Sequence, residues 1–254
     1  LPLDDSARDD GSGGFVLDHG GSRHMLAPYV AHTPLPRPGY VRHASRGAAL
    51  ADTLVALRRA ATGLDPALTA PLPPLDLPAY ARELLHTARA DAHRLPRALR
   101  PGIDAVLATT LDTLAPLFDA WADLPCALAH GDFHPLNVLW DGEAVAALID
   151  WEFAGPRPEL YDAANLLGCV GIEDPRALGG ELATALLAGL FNGLRAADMP
   201  GGVDRLPELV LALRLAWLSE WLRKRDFEMV ELEFDYMHLL GRNLDALRSM
   251  WGKA

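Results

Sequence analysis

Short apolar runs predict β-strands in two parts of the chain. The first two runs, 14–17 and 24–27, lie on either side of an Asp-His-Gly-Gly segment, which is typical of a turn. Further runs occupy the middle of the chain, and the last two of these are joined through Asp141-Gly142, a dipeptide that strongly favours a hairpin. The strands predicted in this central part are 126–130, 137–140 and 144–150.

Most of the remaining chain has apolar residues at the spacing of one helix face. The segment 209–222 is apolar almost all round, which predicts a helix that is buried on most sides. Apolar and polar residues alternate at 231–236, a pattern that is also compatible with a strand. The helix-forming residues around them and the length of the segment favour a helix. The predicted helices are 44–62, 79–94, 101–121, 160–170, 176–197, 204–225 and 227–250.

The composition is that of a folded chain with an acidic surface. Half of the 254 residues are apolar and 22% are charged, and at about 150 residues per domain they form one large domain or two small ones. The net charge of −11 argues against nucleic acid or an anionic membrane surface as a partner, because both favour basic proteins. No apolar stretch reaches the ~18 residues of a membrane span. Two cysteines, Cys126 and Cys169, are too few for a disulfide framework and point to the cytoplasm.

The chemically informative segment is 130–140, with the sequence HGDFHPLNVLW. A predicted strand delivers Asp132 into a loop, and Asn137 opens the next strand. Because the hairpin returns antiparallel, we expect Asp150 to lie close to Asn137. Carboxylate and amide oxygens suit Mg²⁺, which keeps several waters and takes phosphate oxygens as further ligands. Asp132 can then accept a hydroxyl proton, so the pattern predicts metal-assisted phosphoryl transfer.

The same residues carry a family resemblance. The spacing of Asp132, Asn137 and Asp150 matches the protein-kinase pattern His-Arg-Asp-x-x-x-x-Asn followed by a metal-binding Asp. With Gly in place of that Arg, the chain resembles the aminoglycoside phosphotransferase family, which is grouped with choline kinases and bacterial homoserine kinases. The resemblance makes Asp132 the catalytic base and makes Asn137 and Asp150 the Mg²⁺ ligands. It also makes His130 and Asp162 supports of the catalytic loop.

Several of these features also have a purely structural interpretation. A lone His-Gly-Asp is typical of a turn whose Asp caps a helix, but the correctly spaced Asn and second Asp favour the catalytic interpretation. His134 is interpreted as a hydrogen-bonded loop residue, and Trp140 and Trp151 as packing residues. The five acids within 226–235 either line a pocket for a cationic substrate or form a solvated helix face, and the second interpretation is favoured.

The resemblance does not extend to the whole small lobe of the kinase fold. Kinases of this group need a Gly-rich loop and a strand lysine that pairs with the phosphates, and this chain has no lysine before Lys224. The glycine-rich residues 12–14 are interpreted as a linker or turn. Residues 1–30 therefore resemble only the last two strands of the small lobe and the hinge, and 31–254 resemble the α-rich large lobe.

These features predict an α+β, protein-kinase-like fold, mainly the α-rich C-terminal lobe with only a remnant of the β-rich N-terminal lobe. Because the family binds adenine through the hinge backbone, the resemblance implies that Ala27 and Tyr29 bind the nucleotide. The predicted function is an ATP-dependent, Mg²⁺-assisted phosphotransferase that acts on the hydroxyl of a small molecule, with the front of its small lobe encoded upstream of Leu1. The alternative is a catalytically inactive kinase-like protein that binds a metabolite or a partner.

Overall fold

Helices dominate the computed structural model, which describes residues 8–9, 15–19, 22–65, 72, 74–197 and 203–252. Residues 12–14 and the predicted turn at 20–21 lie outside the described residues. Each predicted helix has a counterpart in the structure. The α-helices are α1 (Ala44–Thr62), α2 (Leu77–Ala90), α3 (Arg100–Asp119), α4 (Tyr161–Glu173), α5 (Glu181–Ala196), α6 (Leu206–Lys224), α7 (Phe227–Arg242) and α8 (Leu244–Trp251).

Local capping explains where several helices begin and end. Asp76 accepts a hydrogen bond from the Ala79 N–H at 2.9 Å, so α2 begins before the predicted start of that helix. Asp226 caps α7 in the same way. The single helix predicted over 227–250 is interrupted at Asn243, and its two parts are α7 and α8.

Within the described residues, the strands form three small antiparallel sheets. One contains β1 (Arg8–Asp9), β2 (Phe15–His19) and β3 (Ser22–Leu26) in that order. The others are the ribbon of β4 (Cys126–Ala129) with β7 (Gly155–Pro158) and the hairpin of β5 (Val138–Asp141) with β6 (Ala144–Leu148). The predicted hairpin is present, whereas the sequence pattern predicted neither β1 nor β7.

The ribbon and the hairpin bring two connecting segments together. The segment 130–137 joins β4 to β5, and the segment 149–154 joins β6 to β7. Gly142 turns the hairpin with a φ of 60°, a conformation that glycine adopts at little cost. The Ile149 N–H donates to the Asn137 carbonyl at 3.0 Å, which extends the pairing of the hairpin to the start of the second segment. The predicted catalytic residues therefore lie on neighbouring stretches of chain.

The hydrophobic core lies between the helices. Helix α1 packs against α5 at close range, because a Cβ on Gly47 would lie only 2.2 Å from the Leu182 carbonyl oxygen. In α6, every residue from 206 to 215 is buried, so the burial predicted for the helix over 209–222 is confirmed for its first half, whereas most residues after 215 are only partly buried. Within the described residues, no helix combines the length and hydropathy that a membrane crossing requires.

The acidic segment 226–235 forms the start of α7 and its N-cap. Four of its five acids are exposed, in agreement with the solvated helix face that the sequence favoured. Glu233 is the exception, because it is fully buried against Arg214 of α6. Residues 231–236 lie within α7, so the helical interpretation of their alternating pattern is confirmed.

Candidate active site

Asp162 holds the start of the loop 130–137 from the first turn of α4. Its two carboxylate oxygens accept the backbone N–H groups of His130 at 2.8 Å and Gly131 at 2.9 Å. Burial raises the pKa of Asp162, although the two N–H groups act to lower it. The N-terminal end of a helix also favours a negative charge. These contacts are what a residue that supports the loop requires.

We expect Asp162→Asn to reduce the free energy of unfolding by about 1–3 kcal/mol. An amide offers one acceptor oxygen instead of two, so one of the two N–H groups would face an NH₂ group and lose its partner. Urea denaturation followed by circular dichroism measures the loss. Asp112→Asn, at an exposed position of α3, is the matched control and should change stability by less than about 0.5 kcal/mol. Equal stability of the two variants would contradict this role of Asp162.

His130 connects the loop to the segment that carries Asp150. Its fully buried ring donates from Nε2 to the Ile149 carbonyl at 2.9 Å, and its Nδ1 accepts the Asp132 N–H at 3.3 Å. One ring nitrogen donates and the other accepts, which is the pattern of a neutral imidazole. The ring also packs on Trp151, with 4.5 Å between the ring centroids. His130 therefore fixes the two segments relative to each other.

The shape of the loop requires glycine at position 131. Gly131 has a φ of 85°, which side chains rarely tolerate. A Cβ there would lie 2.0 Å from the carbonyl oxygen of Phe153, so any side chain would push the loop away from the segment 149–154. This contact explains why glycine stands where the protein-kinase pattern has arginine.

Asp132 is held by side chains of its own loop. Its Oδ2 accepts a hydrogen bond from Nδ2 of Asn137 at 3.1 Å and lies 3.4 Å from Nε2 of His134. His134 accepts the Leu136 N–H at Nδ1, so it is the hydrogen-bonded loop residue that the sequence suggested. Burial raises the pKa of Asp132, but the hydrogen bonds from His134 and Asn137 outweigh it and leave this pKa below its usual value. The carboxylate is therefore ionised at neutral pH and able to accept a proton.

Asn137 contacts Asp132 through one end of its amide group only. Its Nδ2 donates to the Asp132 carbonyl at 3.0 Å as well as to the carboxylate. No donor among the described residues reaches its Oδ1, which stays available for a ligand. Asp150 directly follows Ile149, whose N–H donates to the Asn137 carbonyl. Asp150 is exposed and has a φ of 66°, a left-handed conformation that Asp tolerates better than most residues.

The oxygens of Asn137 and Asp150 fit Mg²⁺. This ion prefers oxygen ligands and is usually held by one or two carboxylates together with phosphate oxygens and water. Across the described residues, no group of three His, Cys, Asp or Glu side chains could hold a metal ion. Mg²⁺ bound with a nucleotide does not need such a group, because the phosphates and water supply most of its ligands.

Ala27 and Tyr29 lie directly after β3, in the segment that leads towards the hairpin of β5 and β6. Both are exposed, and the Tyr29 side chain is 84% accessible to solvent. A few residues later, the Thr33 N–H donates to the Trp140 carbonyl at 2.7 Å, which ties this segment to β5. The segment that follows the predicted hinge is therefore tied to the hairpin at Thr33.

The two tryptophans of the informative segment differ in their surroundings. Trp140 is 1% exposed, as expected for a packing residue, and the guanidinium of Arg46 lies 4.9 Å from its ring centroid. Trp151 is 40% exposed, so it is not a core residue. Instead, it covers one side of the His130 ring.

Two residues at the site were missed by the sequence analysis. Asn165 of α4 is 5% exposed, and its Nδ2 lies 3.5 Å from Oδ1 of Asp132. Trp217 of α6 donates from Nε1 to Oδ1 of Asn165 at 3.0 Å. A polar residue within the apolar run AANLLGCV was a signal that could have identified Asn165. Trp217 had no such signal, because no sequence pattern indicates which loop α6 contacts.

The family of this chain is shown by a match to a family model that extends well beyond the site residues. The model of a family described as "Phosphotransferase enzyme family" matches residues 12–200, more than half of the chain. This chain belongs to that phosphotransferase family. The resemblance to aminoglycoside phosphotransferases and related kinases, first indicated by the segment 130–140, is thereby confirmed.

The most similar curated relatives of this phosphotransferase include a homoserine kinase of Methylobacterium sp. strain 4-46. It is 31% identical over 220 residues, which cover 83% of this chain and 63% of the relative. This chain therefore spans less than two thirds of the relative's length.

Solved structures of similar fold include kinases of two kinds. A choline/ethanolamine kinase family protein from Mesorhizobium loti has a TM-score of 0.61 at 19% identity, covering 94% of this chain and 78% of its own. An aminoglycoside phosphotransferase of Streptomyces rimosus, solved with ADP and streptomycin, has a TM-score of 0.52 at 21% identity, covering 82% of this chain and 77% of its own. At these identities the likeness shows the fold alone. The predicted protein-kinase-like class, mainly its α-rich lobe, is confirmed.

Proposed function

We propose that this chain carries the catalytic centre of an ATP-dependent kinase that phosphorylates the hydroxyl of a small molecule with the aid of Mg²⁺. The observation that carries the proposal is the orientation of the Asn137 amide. Its nitrogen donates to Asp132, and its oxygen is left for a ligand, while its backbone carbonyl pairs with Ile149, the residue before Asp150. In this proposal, one side chain both holds the proton acceptor and supplies an oxygen ligand for Mg²⁺. Such a pairing is unexpected in an inactive kinase-like protein, which needs neither function.

In this proposal Asp132 receives the proton of the acceptor hydroxyl. Its lowered pKa keeps it ionised, and a weakly basic carboxylate suits a loose transition state in which the base mainly orients the hydroxyl. His130 and Asp162 hold the backbone on either side of Gly131, which limits the movement of the base. Correct orientation is a large part of catalysis when little covalent chemistry is required of the protein.

The nucleotide is held by two parts of the chain in this proposal. Asn137 and Asp150 hold Mg²⁺, which when bound neutralises charge on the phosphates of ATP. The backbone of Ala27 and Tyr29 binds the adenine. The hydrogen bond from Thr33 to Trp140 of β5 supports the assignment, because it ties the segment after the proposed hinge to the hairpin next to the proposed Mg²⁺ ligands.

The same assignment divides the chain into two parts. Residues 1–30 are proposed to be the last strands and hinge of the small lobe, and residues 31–254 are proposed to be the large lobe. The antiparallel pairing of β2 with β3 and the helical content after residue 44 support this division.

The first acceptor to test is L-homoserine, because the relative with 31% identity is a homoserine kinase. The complete encoded protein is mixed with ATP and Mg²⁺. ADP release is then measured in separate reactions with L-homoserine, choline, ethanolamine and an aminoglycoside as the acceptor. We expect L-homoserine to stimulate ADP release more than the other acceptors do. Stimulation by another acceptor alone would overturn the substrate but keep the class of reaction.

We expect Asp150→Asn to raise the Mg²⁺ concentration needed for half-maximal nucleotide binding by about tenfold or more. The change removes the negative charge that balances the cation, and Asn also tolerates the left-handed backbone, so the fold should be retained. Calorimetric titration with ADP at several Mg²⁺ concentrations measures the effect.

Asp141→Asn is the matched control for this experiment. Asp141 is an exposed residue of the same hairpin, and its replacement removes the same charge at the turn, away from Asp150. Its Mg²⁺ dependence should stay within about twofold of the wild-type protein. If Asp141→Asn and Asp150→Asn change the Mg²⁺ requirement equally, Asp150 is not a ligand.

A further inference from the structure

The two carboxylate oxygens of Asp132 have different surroundings. Oδ2 is bound by Asn137 at 3.1 Å and lies 3.4 Å from the His134 ring nitrogen, so both of its lone pairs have partners. Oδ1 has one long contact, the 3.5 Å approach of Asn165 Nδ2. Among the described residues, Oδ1 is therefore the oxygen with the capacity to accept a further hydrogen bond.

Asn165 is held in one orientation by Trp217. The Trp217 N–H binds the amide oxygen at 3.0 Å, so the amide nitrogen must face the loop, where it lies 3.5 Å from Asp132 and 3.4 Å from the Phe133 carbonyl. Rotating the amide by half a turn would place its oxygen against the Asp132 carboxylate and its NH₂ against the Trp217 N–H. Both contacts would be repulsive, and Asn165 is 5% exposed, so water offers little relief.

Trp217 is itself packed on several sides. Its ring meets the His134 ring edge-on at 5.8 Å and stacks on Trp221 at 5.7 Å. The guanidinium of Arg214, which is buried in an ion pair with Glu233, lies 5.6 Å from the Trp217 ring centroid. The N–H that orients Asn165 therefore comes from a ring that the core of α6 and α7 holds in place.

We propose that Asn165 and Trp217 are positioning residues, which hold the Asp132 carboxylate so that Oδ1 faces the acceptor hydroxyl. This inference rests on the proposed function. Asn137 and His134 fix one oxygen from within the loop, and Asn165 fixes the direction of the other from α4. The orientation of the carboxylate is then fixed by contacts at both of its oxygens, which is what a base that mainly orients its substrate requires.

A double-mutant cycle tests whether Asn165 acts through Asp132. Asn165→Leu keeps the approximate size of the side chain and removes its hydrogen bonds with Asp132, Phe133 and Trp217. We expect kcat to fall about tenfold, the worth of one or two ordinary hydrogen bonds, with the Kd of Mg²⁺-ADP unchanged. In an Asp132→Asn background, Asn165→Leu should change kcat by less than about twofold, because the group that it positions no longer accepts a proton. Equal fold losses in both backgrounds would overturn the proposal.

Two further variants keep the test decisive. Trp217→Phe keeps a ring but removes the N–H, and we expect a three- to tenfold loss of kcat that is also absent in the Asp132→Asn background. Asn192→Leu, at an exposed position of α5, is the matched control and should leave kcat unchanged in both backgrounds.

A measurement without catalysis separates this proposal from the proposed function. In ¹H–¹⁵N spectra, the indole N–H signal of Trp217 is assigned by its loss in Trp217→Phe. We expect Asn165→Leu and Asp132→Asn each to shift this signal, and Asn192→Leu to leave it in place. An unmoved signal in Asn165→Leu would overturn the positioning pair even if the protein is a kinase. A shifted signal in a protein that transfers no phosphate would instead overturn the proposed function alone.

Discussion

Asp132→Asn is expected to lower kcat by about 10²–10⁴-fold, the usual contribution of a general base. The amide keeps the shape of the side chain but cannot accept the hydroxyl proton. The loop should keep its conformation, because Asn137 also donates to the Asp132 carbonyl, which the substitution leaves intact. Steady-state kinetics with the acceptor identified above measures kcat, and calorimetry measures the affinity for Mg²⁺-ADP.

The affinity of Asp132→Asn for Mg²⁺-ADP should change little, because Asn137 and Asp150 are still present. Asp150→Asn should instead reduce both nucleotide affinity and turnover, so the pair of variants separates the base from the metal ligand. Near-full turnover by Asp132→Asn on the true substrate would show that Asp132 is not the base.

Arg214→Met is expected to reduce the free energy of unfolding by about 3–5 kcal/mol. Arg214 and Glu233 form an ion pair whose side chains are 2% and 0% exposed. Burial lowers the pKa of Arg214, but the Glu233 carboxylate outweighs this effect and keeps the guanidinium charged. Without Arg214, the Glu233 carboxylate would stay buried, and the Trp221 N–H, at 3.2 Å, would be its one remaining partner among the described residues. Urea denaturation gives the difference in stability.

An exposed ion pair provides the control for Arg214→Met. Arg89 and Asp104 form a pair on α2 and α3 in which both side chains are more than half exposed. Arg89→Met should therefore cost no more than about 1 kcal/mol. A double variant, Arg214→Met with Glu233→Leu, should recover much of the loss, because no unpaired charge remains in the core. Equal losses from Arg214→Met and Arg89→Met would contradict the cost assigned to the buried carboxylate.

The central hairpin and the order of the site residues could be predicted because they depend on local signals. Asp141-Gly142 determines a turn, and a turn between two apolar runs determines which residues become neighbours. The pairing of Asn137 with Ile149, the residue before Asp150, follows from that register. The positions of the helices were also largely predictable, because their apolar spacing extends over many residues, although the break at Asn243 that divides the last predicted helix into α7 and α8 was missed.

The features that could not be predicted depend on contacts between distant parts of the chain. Strand β7 reads as Gly-Pro-Arg-Pro, which no strand propensity favours, and it is a strand only because β4 pairs with it. The pairing of Arg214 with Glu233 joins α6 to α7, and the contact of Trp217 with Asn165 joins α6 to α4. Helical spacing indicates which face of a helix is buried, but not which residue it meets.

The most direct test of the proposed activity is ³¹P NMR of the complete encoded protein with ATP, Mg²⁺ and a small-alcohol acceptor, beginning with L-homoserine. We predict a new phosphomonoester signal that grows in step with ADP, requires both Mg²⁺ and the acceptor, and is nearly abolished by Asp132→Asn. If no acceptor among amino alcohols, choline-like alcohols and amino sugars gives a phosphomonoester, or if Asp132→Asn forms the product at the wild-type rate, the proposed kinase activity is contradicted.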